Sequence, residues 1–303
     1  MTRAPPWQAY LLLASGMAVV GCYIGFSKFL VATVPVFLLG SIRFAIAALV
    51  MLPWTFPRGS GAVLRAQARV LFLQSFFGNF LFTLCVLSGV ARTSATAAGV
   101  IMSALPAVVA LFSFVTLREP LGMRTSAAIV LAIVGIGVLN AQHGTAEGAA
   151  AQWLGNGLIL GAVCCEAIYV VLGKRLMNAN VGPMQISAWI NAVGLVLMLP
   201  MGIVEGVRFD FTRLTLPLWA LIVAYSLAAG IASTWLWLSG LKRVPANQAG
   251  VFTIALPLSA AAVGIVFLSE SVSAAYLIAL ACAIAGVVLV ALEKPADKRI
   301  ESM

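Results

Sequence analysis

The sequence predicts an all-α polytopic membrane protein whose ten transmembrane helices form two inverted five-helix repeats. Three observations carry this: the composition, the placement of the basic residues, and an internal repeat. The chain is 62% hydrophobic and 9% charged, whereas an ordinary soluble domain is about 25% charged. Its 18 basic and 9 acidic residues cannot cover a 303-residue soluble fold. At about 20 residues per membrane helix, ten helices leave about 100 residues for loops and tails, which excludes a separate soluble domain. The net charge of +9 is explained by helix orientation. A nucleic-acid reading would need a basic stripe on a solvated fold, so no nucleic-acid partner is expected, and the lipid bilayer is.

Apolar runs bounded by charge, Pro or Gly place the helices at 7–30, 35–54, 69–88, 93–116 and 121–140, then at 152–176, 183–204, 217–241, 246–268 and 273–292. The first run exceeds the apolar core of a signal peptide and is expected as a retained helix. With the N-terminus in the cytoplasm, 13 basic residues fall inside, and Lys28, Arg92, Arg208 and Arg213 fall outside. Arg43 lies within a helix. That bias puts both termini in the cytoplasm. The pairs Lys174-Arg175 and Lys242-Arg243 are topology signals and anionic-lipid contacts. Cys22, Cys85, Cys164, Cys165 and Cys282 sit in apolar runs as small hydrophobes, so no disulfide is expected. His143 is the only histidine, which removes a His-based zinc site. No cofactor is expected.

Residues 88–117 and 239–268 superpose at a constant offset of 151, matching Ser88 with Ser239, Arg92 with Arg243, Gly99 with Gly250 and Pro106 with Pro257. The match continues to Glu119 with Glu270 and Gly135 with Gly286, giving about 18 identities over roughly 50 positions. After a small gap, Tyr23 and Lys28 fall on Tyr169 and Lys174. The repeats are assigned to 1–144 and 145–303 as one membrane unit. Five spans is an odd number, so the second repeat must be inverted relative to the first. Inverted repeats are the architecture of many secondary transporters, with the site at the midplane between them. This points to a carrier.

The residues that could serve such a site follow from cost and position. Pro106 and Pro257 fall mid-helix, where each removes a backbone hydrogen bond and kinks the chain, and their coincidence marks them as paired hinges lining the cavity. Glu166 is the only acid inside a helix, and that depth costs several kcal/mol unless it is paired or wetted. It is expected to face the cavity, binding a substrate amine or exchanging a proton, or else to partner Tyr23, Asn79 or Arg43. A depth mismatch of about 9 Å, at 1.5 Å rise per residue, argues against a direct Arg43–Glu166 pair. Arg43 is read as a structural intramembrane residue.

Gln74, Ser75, Asn79 and Thr83 share a helix face and align with Tyr225, Ser226, Gly230 and Thr234. With Trp235 and Trp237 they suit a cavity for a zwitterion bearing an apolar side chain. From these sets Asn79, Thr83, Tyr225, Trp235 and Trp237 are taken as cavity candidates, together with Tyr23, Tyr169, Met102 and Thr253. Gly21-x-x-x-Gly25 and Gly157-x-x-x-Gly161 are expected to pack the first helix against the sixth. Glu119 and Glu270 are expected to complement the N-terminal dipoles of the fifth and tenth helices.

Arg43-Phe44 in the second helix, and Pro106, Glu119 and Gly135 repeated as Pro257, Glu270 and Gly286, make the sequence resemble the drug/metabolite transporter superfamily in its EamA-type branch of ten-helix carriers. The resemblance covers essentially the whole chain. It implies a bacterial inner-membrane exporter of small metabolites, similar to the amino acid exporters and among them the aromatic amino acid branch, with drug efflux by the same fold as the alternative. The second repeat departs by placing Trp189, Ile190 and Asn191 where Arg43 would recur. A membrane enzyme would need a metal-binding acid cluster or a His–acid pair, and the sequence offers neither. A channel or receptor is disfavoured by the inverted repeat. With both repeats in one chain, a monomer can complete the site.

Overall fold

A computed structural model describes residues 6–55, 61–117, 122–140, 146–179, 181–241 and 250–292, and every regular element among them is helical. Arg58, Glu119, His143, Lys242 and Arg243 lie outside the described residues. Spans one and two are α1 (Pro6–Val31) and α2 (Val36–Thr55). Span three joins α3 (Gly61–Ser75), a π-helical turn (Phe76–Leu81) and α4 (Phe82–Val90). Span four is α5 (Ala95–Met102) followed by α6 (Leu105–Leu117), and span five is α7 (Met123–Asn140). Spans six and seven are α8 (Ala146–Asn178) and α9 (Pro183–Arg208). Span eight joins α10 (Leu216–Leu227), a π-helical turn (Ala228–Ala232) and α11 (Ser233–Leu241). Span nine is a 3-10 turn (Gly250–Ile254) leading into α12 (Ala255–Leu268), and span ten is α13 (Ala274–Ala291).

Among the described residues, six helices are long and apolar enough to cross a bilayer unaided, and four shorter apolar helices complete the ten. Helix starts are set locally. The Ser94 and Ser273 side chains accept from Ala97 and Tyr276 N–H, and Pro183 and Pro217 occupy first-turn positions that need no N–H.

The packing respects an exchange of the two halves. α1 lies against α11 and α12, and its counterpart α8 lies against α4, α5 and α6. The remaining large contacts join each span to its own counterpart: α2 to α9, α5 to α12, and α7 to α13. Each of these pairs is antiparallel. Ser41 meets Gly202 while Phe44 meets Gly194; Thr96 meets Gly264 while Gly99 meets Ala260; Ala128 meets Gly286 while Gly135 meets Cys282. A two-fold axis in the membrane plane generates this pattern. We call the face from which α1 begins proximal, and the face carrying the turns before α2 and α5 distal.

The helix interruptions obey the same exchange. Residues 77–81 of the first π-helical turn fall on 228–232, the second, under the offset of 151. The break at Ser103 and Ala104 falls on Ile254 and Ala255, where the 3-10 turn gives way to α12. This corrects the expected mid-helix kinks. Pro106 and Pro257 sit in the first turns of α6 and α12, where a missing N–H is tolerated, and the chain breaks just upstream of each.

Two further expectations are corrected. Gly21 and Gly25 pack α1 against Ser259, Leu256 and Val263 of α12, not against α8, and Gly157 has open space beside it. The Glu270 carboxylate accepts from Ala95 N–H (2.7 Å) and Thr96 N–H (3.0 Å), so it caps α5 at the start of span four and not span ten. Glu205 does the same for α2, accepting from Leu38 N–H at 2.8 Å.

A methyl group at Gly21 would overlap the Ser259 hydroxyl and the Leu256 carbonyl. Gly21→Val is therefore expected to cost about 1–3 kcal/mol by overpacking and to lower the melting temperature in detergent by several degrees. Gly157→Ala is expected to leave it unchanged or raised, since alanine favours helix. Equal melting of the two variants would contradict the α1–α12 packing.

Candidate functional site

A narrow cavity of about 80 Å³ lies between the halves. Its wall comes from spans one, two and three and from their counterparts six, seven and eight. The repeat accounts for most of it. Tyr23 stands opposite Tyr169, Val20 opposite Glu166, Arg43 opposite Asn191, Gly78 opposite Ala229, Asn79 opposite Gly230, and Phe82 opposite Ser233. Ile190 and Thr234 complete the lining.

Arg43 is buried, and its charge is held by neighbours in its own half. Nη1 donates to Thr83 Oγ1 at 2.7 Å, and Nη2 reaches Asn79 Oδ1 at 3.5 Å. The guanidinium carbon lies 4.6 Å from the Phe44 ring centre and 5.1 Å from that of Tyr23, both within cation–π range. Asn79 extends this set across the interface, donating from Nδ2 to the Ile190 carbonyl at 3.0 Å. Arg43 Nε, aimed at no protein acceptor, is left buried.

In the other half the π-helical turn of span eight frees a backbone carbonyl, as such bulges do. Ser187 Oγ donates to that Gly230 carbonyl at 2.6 Å, and Asn191 Nδ2 donates to the Ser187 carbonyl at 2.8 Å. This leaves the buried Asn191 Oδ1 without a donor. Tyr23 stacks on Tyr225 at 4.9 Å, the Tyr225 hydroxyl pairs with Ser27 Oγ at 2.8 Å, and the Tyr23 hydroxyl has no partner. Tyr169 packs on Gly78 in the π-helical turn of span three. Glu166, one turn before Tyr169, is half-buried on the wall and has no hydrogen bond or ion pair to a described residue.

Tyr23, Asn79, Glu166, Tyr169 and Arg43 thus stand on the cavity wall. Six other candidates do not. Thr83 lies behind Arg43 as its acceptor, and Tyr225 lies behind Tyr23. Trp235 is turned about 100° from Thr234 along the helix and is 47% exposed on the outer surface. Trp237 backs onto α1 at Gly16. Met102, 1% exposed, and Thr253 are buried in spans four and nine, which contribute nothing to this wall. Pro106 borders a separate small hollow with Ala128 and Gly286, and Pro257 adjoins Gly99, so neither proline lines the cavity. Sequence reasoning passed over Phe82 and Ser233. The offset of 151 already pairs them, and they flank the polar face that was identified.

A ten-span bundle with antiparallel halves and one polar cavity between them is the architecture of a secondary transporter. The chain belongs to the EamA-like transporter family, which it matches over residues 7–141 and 153–292. It is 34% identical over 289 residues to a Bacillus subtilis (strain 168) protein named uncharacterized transporter YetK, covering 94% of this chain and 87% of that one. It is 25% identical over 310 residues to the threonine/homoserine exporter RhtA of Salmonella typhimurium, covering 99% and 97%. A solved crystal structure with 21% identity superposes with a TM-score of 0.63 over 92% of this chain and 95% of the other, which shows the shared fold.

Thr83→Val keeps the volume but removes the acceptor of Arg43 Nη1. It is expected to destabilise the protein by about 1.5–3 kcal/mol, the range for hydrogen bonds to charged groups, with Thr83→Ser retaining most of the stability. Thermal melting in detergent checks this; equal melting of Thr83→Val and the wild type would contradict the role of Thr83 in holding Arg43.

Proposed function

We propose that the protein is a carrier of the bacterial inner membrane that exports small zwitterionic metabolites, amino acids foremost, by alternating access. In this reading the proximal face and both termini are cytoplasmic, the halves 1–144 and 145–303 move against each other, and one chain suffices. The observation that carries it is the polar inventory of the cavity. A fixed cation, Arg43, and the unpartnered Tyr23 hydroxyl come from the first half; an unpaired carboxylate, Glu166, and the unpartnered Asn191 Oδ1 come from the second.

Donors on one half and acceptors on the other match a carboxylate and an ammonium group in one ligand. Tyr23, Phe82 and Tyr169 supply aromatic surface for its side chain. Asn79, Glu166 and Tyr169 are assigned to substrate contact with Tyr23, and Arg43 to holding the donor side in place. RhtA, by its name, exports threonine and homoserine, which supports the amino acid class. The unpaired Glu166 beside Tyr169 also favours a second reading, efflux of organic cations.

Counterflow in proteoliposomes separates the readings. Preloading with amino acids is expected to accelerate uptake of a labelled amino acid. Exchange by cationic drugs alone would favour the second reading, and no exchange of any compound would overturn the carrier. Glu166→Gln is expected to reduce amino acid exchange at least tenfold, which corresponds to about 1.4 kcal/mol, without changing melting. Unchanged exchange would remove Glu166 from the site.

A further inference from the structure

A contact between the halves on one membrane face must part before that face can open, so such contacts are where a gate would lie. On the distal side α5 packs along α12, with Thr96 against Gly264 and Gly99 against Ala260. The halves are therefore joined along the distal face.

We propose that Glu270 is the gate residue that holds the distal face shut during transport. Its two oxygens take the Ala95 and Thr96 N–H groups of α5, so an acid of the second half grips a helix start of the first. The contact is charge-assisted and aligned with the helix dipole. Three features set it there. Ser269 takes a left-handed conformation with φ 53°, the one positive-φ residue other than glycine among the described residues, and turns the chain back after α12. Glu270 N–H then donates to the Gly264 carbonyl at 3.0 Å. Gly264 leaves the space, since a β-carbon there would lie 2.6 Å from Glu270 Oε2.

Glu205, also of the second half, grips α2 on the same face. Lys28, at the end of α1, is close enough for its charge to act on Glu270. For the distal face to open, spans four and nine must part there and the Glu270 carboxylate must leave both N–H groups for water.

This inference rests on the alternating-access reading, and its test needs no substrate. In a variant whose five native cysteines are replaced, Ser233→Cys provides a thiol on the cavity wall. A membrane-impermeant thiol reagent is applied to right-side-out and to inside-out vesicles. The wild-type gate is expected to permit labelling predominantly from the proximal face. Glu270→Gln is expected to raise distal labelling at least fivefold, and Gly264→Ala, which displaces the carboxylate without removing it, is expected to do the same. Proximal-only labelling in the folded variants, as in the wild type, would overturn the gate. Equal labelling from both faces in the wild type would overturn alternating access itself. Should Glu270→Gln not fold, Gly264→Ala decides alone.

Discussion

Inside a bilayer no water completes a peptide group, so each backbone N–H and carbonyl must find its partner within the protein. That constraint makes this chain helical throughout its described length. It also makes each interruption of a helix costly enough to need a reason. Among the described residues, the four interruptions of the membrane spans fall into two pairs related by the repeat: the π-helical turns of spans three and eight, and the breaks of spans four and nine. All four lie where another helix packs against the interrupted one. The Gly230 carbonyl is taken by Ser187, and the first π-helical turn is covered by Tyr169. The cavity sits between the two π-helical turns, and Gly78, Asn79, Ala229 and Gly230 of those turns line it together with polar side chains of the facing half.

Upon this symmetric frame the side chains are arranged asymmetrically. The counterpart of Glu166 is Val20, and the counterpart of Arg43 is Asn191. A pseudo-symmetric site would present either two acids or two cations across a short gap, and like charges there repel strongly in a low dielectric. Dividing acid and base between the halves avoids that repulsion. It also sets the base on one wall of the cavity and the acid on the other.

Much of this was legible in the sequence, because membrane helices are written in hydrophobicity and the repeat is written in identities. Glu166, Tyr23 and Tyr169 were visible as expensive or repeated residues inside apolar runs. What escaped depends on rotation about a helix axis and on contacts between distant segments. Trp235 and Thr234 are neighbours in sequence, yet the helix turns one to the outer surface and the other to the cavity. Gly21 and Gly25 mark a close helix contact without naming the partner, which proved to be span nine. Glu270 announced a helix dipole, but the helix it caps begins 175 residues earlier in the chain, and nothing local specifies that.

The gate differs in kind from the site it guards. Arg43, Thr83 and Asn79 recognise one another through side chains, so substitutions at several positions can loosen the set. At the distal clasp the donors are main-chain groups, present whatever residues occupy positions 95 and 96 provided neither is proline. The strength of the clasp is therefore set almost entirely by the acceptor at position 270 and by the empty space at Gly264. A carrier must open and close this contact in every cycle. A carboxylate on two peptide N–H groups suits that requirement: it is strong when dry, and water replaces it readily once the helices begin to part. The same bonds that satisfy α5 when the face is shut thus make the start of α5 able to stand in water when it opens.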